Sequence, residues 1–441
     1  MKAREAILAI LIIAAGVFLY YAKSGKLDTV WDEGDLGWFG RGEEFVFEET
    51  EDIPGPLPAE IQVINSHGTV DIEGTTTDKI AVAFKKSIFR RNREEAQKVA
   101  DLLKMVVNRE EAKLILTTNR DEFRRKNFET HFKLTVPAGM TVLIRNSYGM
   151  VKAVKTGKTD ISNPHGDVRA LEISGPLIVE NSYSNVVIGD VKGDCRLNAP
   201  HSDVQVGNIQ GEVLIEHTYG EVNLDTIGAK VTVDGKHSKI EGRHLRGNVD
   251  IGSSYEPIIL DDVGPTKIQG RHCDIDAKNV NGAFDLDDTY ARLTLNTMRG
   301  NLKVQGPNTA ISASDITADE ISIFSSYENV ELRGFRGAAT ITMSHGDLVL
   351  VPEAIVGPID VRGTYANVAL SWPSGVKVPF EGRVVSGVIH WGLADKPSLE
   401  KSNGQSLTKA FVDESGKPTI KISTSYGDIR VEDARRATKT I

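Results

Sequence analysis

The chain has 441 residues, 41 of them glycine, with only 6% aromatic residues and a formal net charge of −9. That acidic balance argues against nucleic acid as a partner, because phosphate binding relies on a basic footprint. The two cysteines, Cys195 and Cys273, occupy different phases of a repeating pattern, so they read as small buried residues rather than a bridge or a metal motif.

Taken in chain order, Lys2 and Arg4 precede an uncharged run from Ala6 to Ala22. A run of about 17 residues is at the short end for a membrane span but longer than most signal-peptide cores. Tyr20 and Tyr21 stand where a cleavage site would need small residues. Residues 1–26 are therefore expected to form an uncleaved single-pass anchor that leaves the bulk of the chain extracytoplasmic, in the periplasm or on the cell surface. A cleaved secretory signal would export it equally. Residues 27–57, acidic from Glu43 to Asp52 and closed by Pro54 and Pro56, read as an extended linker.

Residues 58–145 are expected to form an N-terminal cap on a repeat array. Ile61, Val63, Val70 and Ile72 alternate around Ser66-His67-Gly68, a first copy of the later repeat. Asn92 as N-cap, Glu95 three residues on, and Ala96, Val99, Ala100 and Leu103 on one face predict a helix over about 93–107. Leu114–Thr118 and Phe128–Val136 read as strands. Basic residues gather nearby, at Lys85, Lys86, Arg90 and Arg91, and suit solvated turns or an anionic lipid surface beside the anchor.

From 146 to about 370 the chain repeats. Tyr148, His165, Tyr183, His201, Tyr219, His237, Tyr255, His272 and Tyr290 succeed one another at about 18 residues, and after a lapse at Asn308 come Tyr327, His345 and Tyr365. Each unit holds two short runs of period 2 separated by glycine-containing turns, the signature of stacked strands in a solenoid. Ser or Thr usually precedes Tyr, whereas Pro164, Pro200, Lys236 and Arg271 precede His. Two such environments favour a coil of about 36 residues with two similar halves, so that tyrosines and histidines form separate ladders; duplication of a 36-residue ancestor would also produce the alternation. The tyrosines, each between a small polar residue and a turn, are read as a buried spine, with an exposed platform for sugar rings or a partner protein as the alternative. After Tyr365 the rhythm lapses. Residues 371–441 read as a C-terminal cap and tail, with Ile420 to Val431 as a closing strand pair.

The repeat, seen in Pro164-His165-Gly166-Asp167-Val168, Ser344-His345-Gly346-Asp347-Leu348 and Ser425-Tyr426-Gly427-Asp428-Ile429, resembles a bacterial extracytoplasmic β-strand-repeat family of unknown function that carries an adhesin label. The resemblance covers roughly residues 58 to 435. It implies an all-β solenoid outside the cytoplasm and supplies no catalytic residues.

The repeat itself is the first place to look for chemistry. His165, His201, His272 and His345 are each followed two residues later by Asp167, Asp203, Asp274 and Asp347, a spacing that shares a strand face. Metal coordination needs ligands converging at about 2.0–2.2 Å, whereas strand rungs are about 4.8 Å apart, so no metal or cofactor is expected. The acids at Asp261-Asp262 and Asp285 to Asp288 are the best candidates for a polysaccharide-active enzyme, but both lie at turns, where aspartate is common. The sequence thus predicts a membrane-anchored binding or adhesin-like module rather than an enzyme, with an envelope protein or glycan as partner. A structural spacer or self-assembling envelope scaffold is the alternative.

Overall fold

The computed structural model describes residues 42–402, 405–411 and 416–434. The anchor expected over residues 1–26 lies outside them; among the described residues, no helix is long and apolar enough to cross a membrane.

The repeats wind into a flattened β-solenoid. Each coil contributes one strand to each of two facing parallel sheets, as Thr159–Ser162 and Val168–Ile173 do in one coil, and Leu177–Glu180 and Val186–Val191 in the next. The register fixes the coil length: Thr159 pairs with Leu177, Leu177 with Cys195 and Cys195 with Val213, a step of 18 residues. The 36-residue coil is therefore wrong. Phenol and imidazole occupy one site on successive coils, because two flat rings stack on each other as readily as on their own kind.

Why these residues form strands follows from their alternation. In Val186–Val191 the first, third and last residues are buried, and the two before the last both face outward. Inward aliphatics of the two sheets meet in one core running the length of the array, from Ile61 to Val431. Burial of each such side chain contributes about 1.5–3 kcal/mol. Cys195 and Cys273 are both free and buried, as their isolation in the sequence implied. The doubled outward pair marks a bulge: its second residue takes positive φ in coil after coil, as at Glu172, Asp190, Asn208, Thr226, His244 and Asp262.

The two ends differ from the middle. The chain from Ile80 to Pro137 leaves the solenoid after its first coil and folds back over it. Glu43–Ile53 pairs antiparallel with Ile80–Arg90, and Ile80–Arg90 with Phe128–Pro137. Residues 43–53 are thus a strand and not a linker. Their acids lie opposite bases, with Glu48 in register with Lys85, Lys86 Nζ 2.6 Å from Glu49 Oε1 and Lys79 paired with Asp52. The same pairing absorbs part of the basic cluster, since Lys86 is fully buried and also donates to Ala100 O. The helix runs Arg93–Leu102, capped by Asn92, whose side chain accepts from Glu95 N at 2.9 Å. It covers a small satellite core of Ile88, Ala96, Ala100, Leu103 and Phe128. It ends earlier than its periodicity suggested, because Met105–Arg109 pairs as a strand with Lys113–Thr118.

Both ends are interleaved. The first repeat coil, Glu60–Ile64 with Val70–Thr75, lies between the later strands Lys113–Thr118 and Phe128–Pro137 on one side and Thr141–Arg145 and Val151–Val154 on the other. At the far end Ile420–Thr424 and Ile429–Asp433 are sandwiched between Ile359–Trp372 and the earlier strands Phe380–Val384 and Ile389–Trp391. The expected closing pair is thus an interior coil. The outermost element is the antiparallel pair Ser398–Ser402 and Gln405–Ala410, docked on Phe380–Val384.

Candidate interaction surface

At one corner of every coil the Tyr/His position projects outward, and its rings stack face to face. From His67 through Tyr148, His165, Tyr183, His201, Tyr219, His237, Tyr255 and His272 to Tyr290, successive centroids lie 4.6–5.6 Å apart. Beyond the first step, which tilts by 28°, the ring planes stay within 12° of parallel. Asn308 interrupts the column. A second run joins Tyr327, His345, Tyr365 and Tyr426 at 4.5–4.8 Å. All twelve ladder residues expected from the repeat are in this single column. His67 and Tyr426 extend it, and the strands around them, Glu60–Thr75 and Ile420–Asp433, carry the same period.

The expected burial of the tyrosines is overturned. The eight ladder tyrosines are 47–64% exposed. The turn places its ring residue outside the sheet, and the covering comes from the neighbouring ring rather than from the core. Because each ring face is covered by the next ring, what meets solvent is a row of edges, carrying phenol hydroxyls and imidazole nitrogens. A flat apolar platform for sugar rings is therefore not what this column presents. Among the described residues none of these eight hydroxyls has a hydrogen-bond partner within the chain.

The backbone explains how so many non-glycine residues fit this corner. At most of these corners one residue of the turn adopts positive φ. At four it is the glycine after the ring, Gly68, Gly149, Gly220 and Gly346. At six others, where a bulkier residue comes next, the ring residue itself enters the left-handed region, as His201, His237, Tyr255, His272, Tyr290 and Tyr327 do at φ 51–70°; the turns at His165, Tyr183, Tyr365 and Tyr426 need neither. Asn308 has φ 56°, and asparagine is among the side chains that tolerate this region best. The lapse thus keeps the turn while breaking the stack.

Inward from the rings, the residue two positions earlier ties the corner to the core. Asn163 Nδ2 donates to Gly149 O at 2.9 Å and Gly166 O at 2.8 Å, and Asn181 Nδ2 donates to Asn163 O at 2.7 Å. His217 takes this place in its coil, with Nε2 2.7 Å from Ser202 O and Nδ1 2.7 Å from Ser238 Oγ; burial lowers its pKa below the usual imidazole range. In the Tyr290 coil the residue is Asp288, fully buried between Gly270 and Gly306, with no hydrogen-bonded partner to either carboxylate oxygen. Burial raises its pKa from 3.8 to about 6, and the buried Cys273 thiol beside it is pushed up to about 12.

The His-x-Asp columns do a structural task. Asp203 Oδ1 accepts from Glu221 N at 3.1 Å, Asp167 Oδ1 from Asn185 N at 3.2 Å, and Asp347 Oδ1 from Asn367 Nδ2 at 2.9 Å. Each carboxylate braces the next coil. Among the described residues no three His, Cys, Asp or Glu side chains converge as metal ligands would. The acids considered for catalysis are dispersed: Asp261 accepts from Asn279, Asp262 pairs with Arg246 at 2.8 Å, Asp285 and Asp287 point out of the other sheet, and Asp288 points in.

A second surface feature escaped the sequence reading. The bulge residues Lys155, Glu172, Asp190, Asn208 and Thr226 line one wall of an open groove of about 1150 Å³. Its signal was present as a polar residue recurring at the step of the repeat, directly before a buried residue that is aliphatic in all but the first case, Thr156. The groove's charges are partly spent on one another, Lys155 lying 3.9 Å from Glu172 and Asn208 donating to Asp190 at 3.2 Å.

Residues 239–432 match the Toastrack DUF4097 family, an all-β repeat family of unknown function, in agreement with the resemblance carried by the repeat. No curated protein matches the chain. Among solved structures, one described as "a putative cell adhesion protein" from Clostridium sporogenes ATCC 15579 is 9% identical and is aligned over 88% of this chain and 100% of its own, with a TM-score of 0.16. A superposition that poor carries no argument.

Proposed function

We propose that this chain is an adhesin-like display module of the cell envelope, held by residues 1–26 in the membrane and presenting the ring-edge column as its interaction strip. The observation that carries the reading is the column itself: ring faces satisfied by stacking, with unpartnered donors and acceptors repeated along one corner. A purely structural spine would bury its rings, and these are half exposed. The solenoid supplies rigidity, since each interior coil is hydrogen-bonded to the coils on both sides. The reading is of a binder and not an enzyme, because the acids and imidazoles of the repeat form uniform rows, whereas catalysis needs groups in divergent environments.

Site-specific photocross-linking tests this in intact cells. A photoreactive residue at Tyr219 is expected to trap an envelope component or a second copy, while the same residue at the exposed Lys267 on the outer face of a sheet traps none. Equal labelling from both positions, or none from either, removes the column as an interaction strip. Protease accessibility of the repeats in whole cells and spheroplasts checks the extracytoplasmic placement.

A further inference from the structure

We infer that the partner of the ring-edge column is a second copy of this chain, docked antiparallel about a two-fold axis between the His201 and Tyr219 rungs. The inference rests on reading the column as the interaction strip and names its occupant.

The argument is one of chemical self-complementarity. The unbroken stack from His67 to Tyr290 has ten rings in strict alternation, beginning with His and ending with Tyr. An alternating row with an even number of members, when reversed, sets every member opposite the other kind. A two-fold between the fifth and sixth rungs therefore places His201 against Tyr219, Tyr183 against His237, His165 against Tyr255, Tyr148 against His272 and His67 against Tyr290. Each contact sets a phenol O–H, which donates, against an imidazole nitrogen, which accepts. The common step of about 5 Å keeps all ten contacts in phase. Parallel docking in register would instead set each ring against its own kind.

Symmetry and charge agree. A two-fold contact uses the same surface on both copies and closes at a dimer, whereas an offset parallel contact leaves surface open for continued addition. The residue preceding each ring faces the same column of the partner in reverse order, so Lys236 meets Ser182 and Arg271 meets Ser147, with no two bases opposed. On the other flank Asp203 meets Glu221 across the axis, and Lys239 stands 2.8 Å from Glu221 within each copy to offset the pair of acids. Asn308 marks where the complementary run stops.

Cross-linking of the full chain in detergent or nanodiscs decides it, because antiparallel pairing predicts unlike partners at distant rungs. Both native thiols are buried. With a bis-maleimide about as long as the two side chains removed, a mixture of Tyr148→Cys and His272→Cys chains is expected to give at least fivefold more covalent dimer than either variant alone. Tyr183→Cys with His237→Cys provides a second pair should one of the first variants melt early. Dimer formed by Tyr148→Cys alone would establish parallel docking and overturn the inference. A chain monomeric by sedimentation, with no cross-link from either pair, would also overturn it; if the photoreactive residue at Tyr219 still trapped a different envelope component, the interaction strip would stand with another occupant.

Discussion

The two corners of each coil differ in what they add to the close approach of successive backbones. At the ring corner successive coils are joined by side chains that project outward, stack, and leave their edges in solvent. At the other corner backbone lies directly on backbone: a Cβ placed on Gly300 would sit 2.3 Å from Gly282 O, on Gly264 2.5 Å from Gly247 O, and on Gly282 2.6 Å from the Pro265 ring. The ring corner shares that close approach where glycine follows a ring, a Cβ on Gly149 meeting Gly68 O at 2.3 Å and one on Gly166 meeting Gly149 O at 2.0 Å, but its ring side chains project outward and leave room for chemistry. The other has none, and its sequence is restricted accordingly, although Ala229 and Ala318 show that a single methyl is accommodated where the local backbone gives way.

Three substitutions break or sharpen that contrast. The largest effect belongs to the glycine corner. Gly300 combines φ 142° with backbone contact on the coil below, so Gly300→Val is expected to cost more than about 3 kcal/mol and to lower the thermal midpoint or prevent folding, read by circular dichroism. A stability change within about 1 kcal/mol would show the backbone contact to be soft.

The second concerns the polar layer behind the rings. Asp288 titrates near 6 when folded against 3.8 in the reference state, so between those values the folded chain holds a proton that the unfolded chain has lost. Its contribution is therefore most favourable below about pH 4 and is lost as pH rises through 6, leaving a penalty of roughly 3 kcal/mol at neutral pH. Asp288→Asn should raise stability at about pH 7.5 by an amount approaching that figure and lose the advantage near pH 4. Buried His217 pulls the other way, since its lowered pKa destabilises the fold as pH falls below the usual imidazole value. The difference between variant and parent in denaturant titrations, rather than either curve alone, isolates Asp288. A pH-independent difference would mean that its carboxyl is not protonated in the fold.

The smallest effect tests whether stacking itself stabilises the ring corner. Asn308→His would join the two ring runs through two new contacts of about 0.5–1.5 kcal/mol each, less the cost of leaving a residue well suited to positive φ. A net gain of about 1 kcal/mol in chemical denaturation is expected. A loss would assign the stability of this corner to the turn and its amide brackets instead.

Much of this architecture was legible in the residues. The step from Tyr148 to Tyr365 located every ring corner between them, and Asn92 with Glu95 located the helix start. The coil length was misread because Ser or Thr before Tyr, and Pro or a base before His, looked like two places. They are one place on odd and even coils, and period alone does not distinguish a ladder of alternating rings from two uniform ladders. Exposure was misjudged for a related reason: each tyrosine is covered by rings on the coils beside it, usually a histidine 17 or 18 residues away, so its immediate neighbours say little about it. The strand at Glu43–Ile53 was hidden because the bases that stabilise it stand far along the chain, as Lys86 does from Glu49. The order of coils at the two ends was invisible, since Ile420–Asp433 carries the same pattern as any other coil and nothing in a repeat states which neighbours it will pair with.

That interleaving constrains how such a molecule is made and how it changes. Phe380–Val384 and Ile389–Trp391 leave the ribosome before Ile420–Asp433, yet they rest on it, so this end of the array stays unfinished until the later segment has threaded between coils already synthesised. The same order makes the interior the permissive site for lengthening: an 18-residue duplication within Thr159–Pro307 slides in with both neighbours intact, whereas one beyond Tyr365 must be re-threaded. Variation in length among such arrays is thus expected to accumulate in the middle, where each inserted coil also adds a ring and, by changing odd to even, resets which partner rung it can meet.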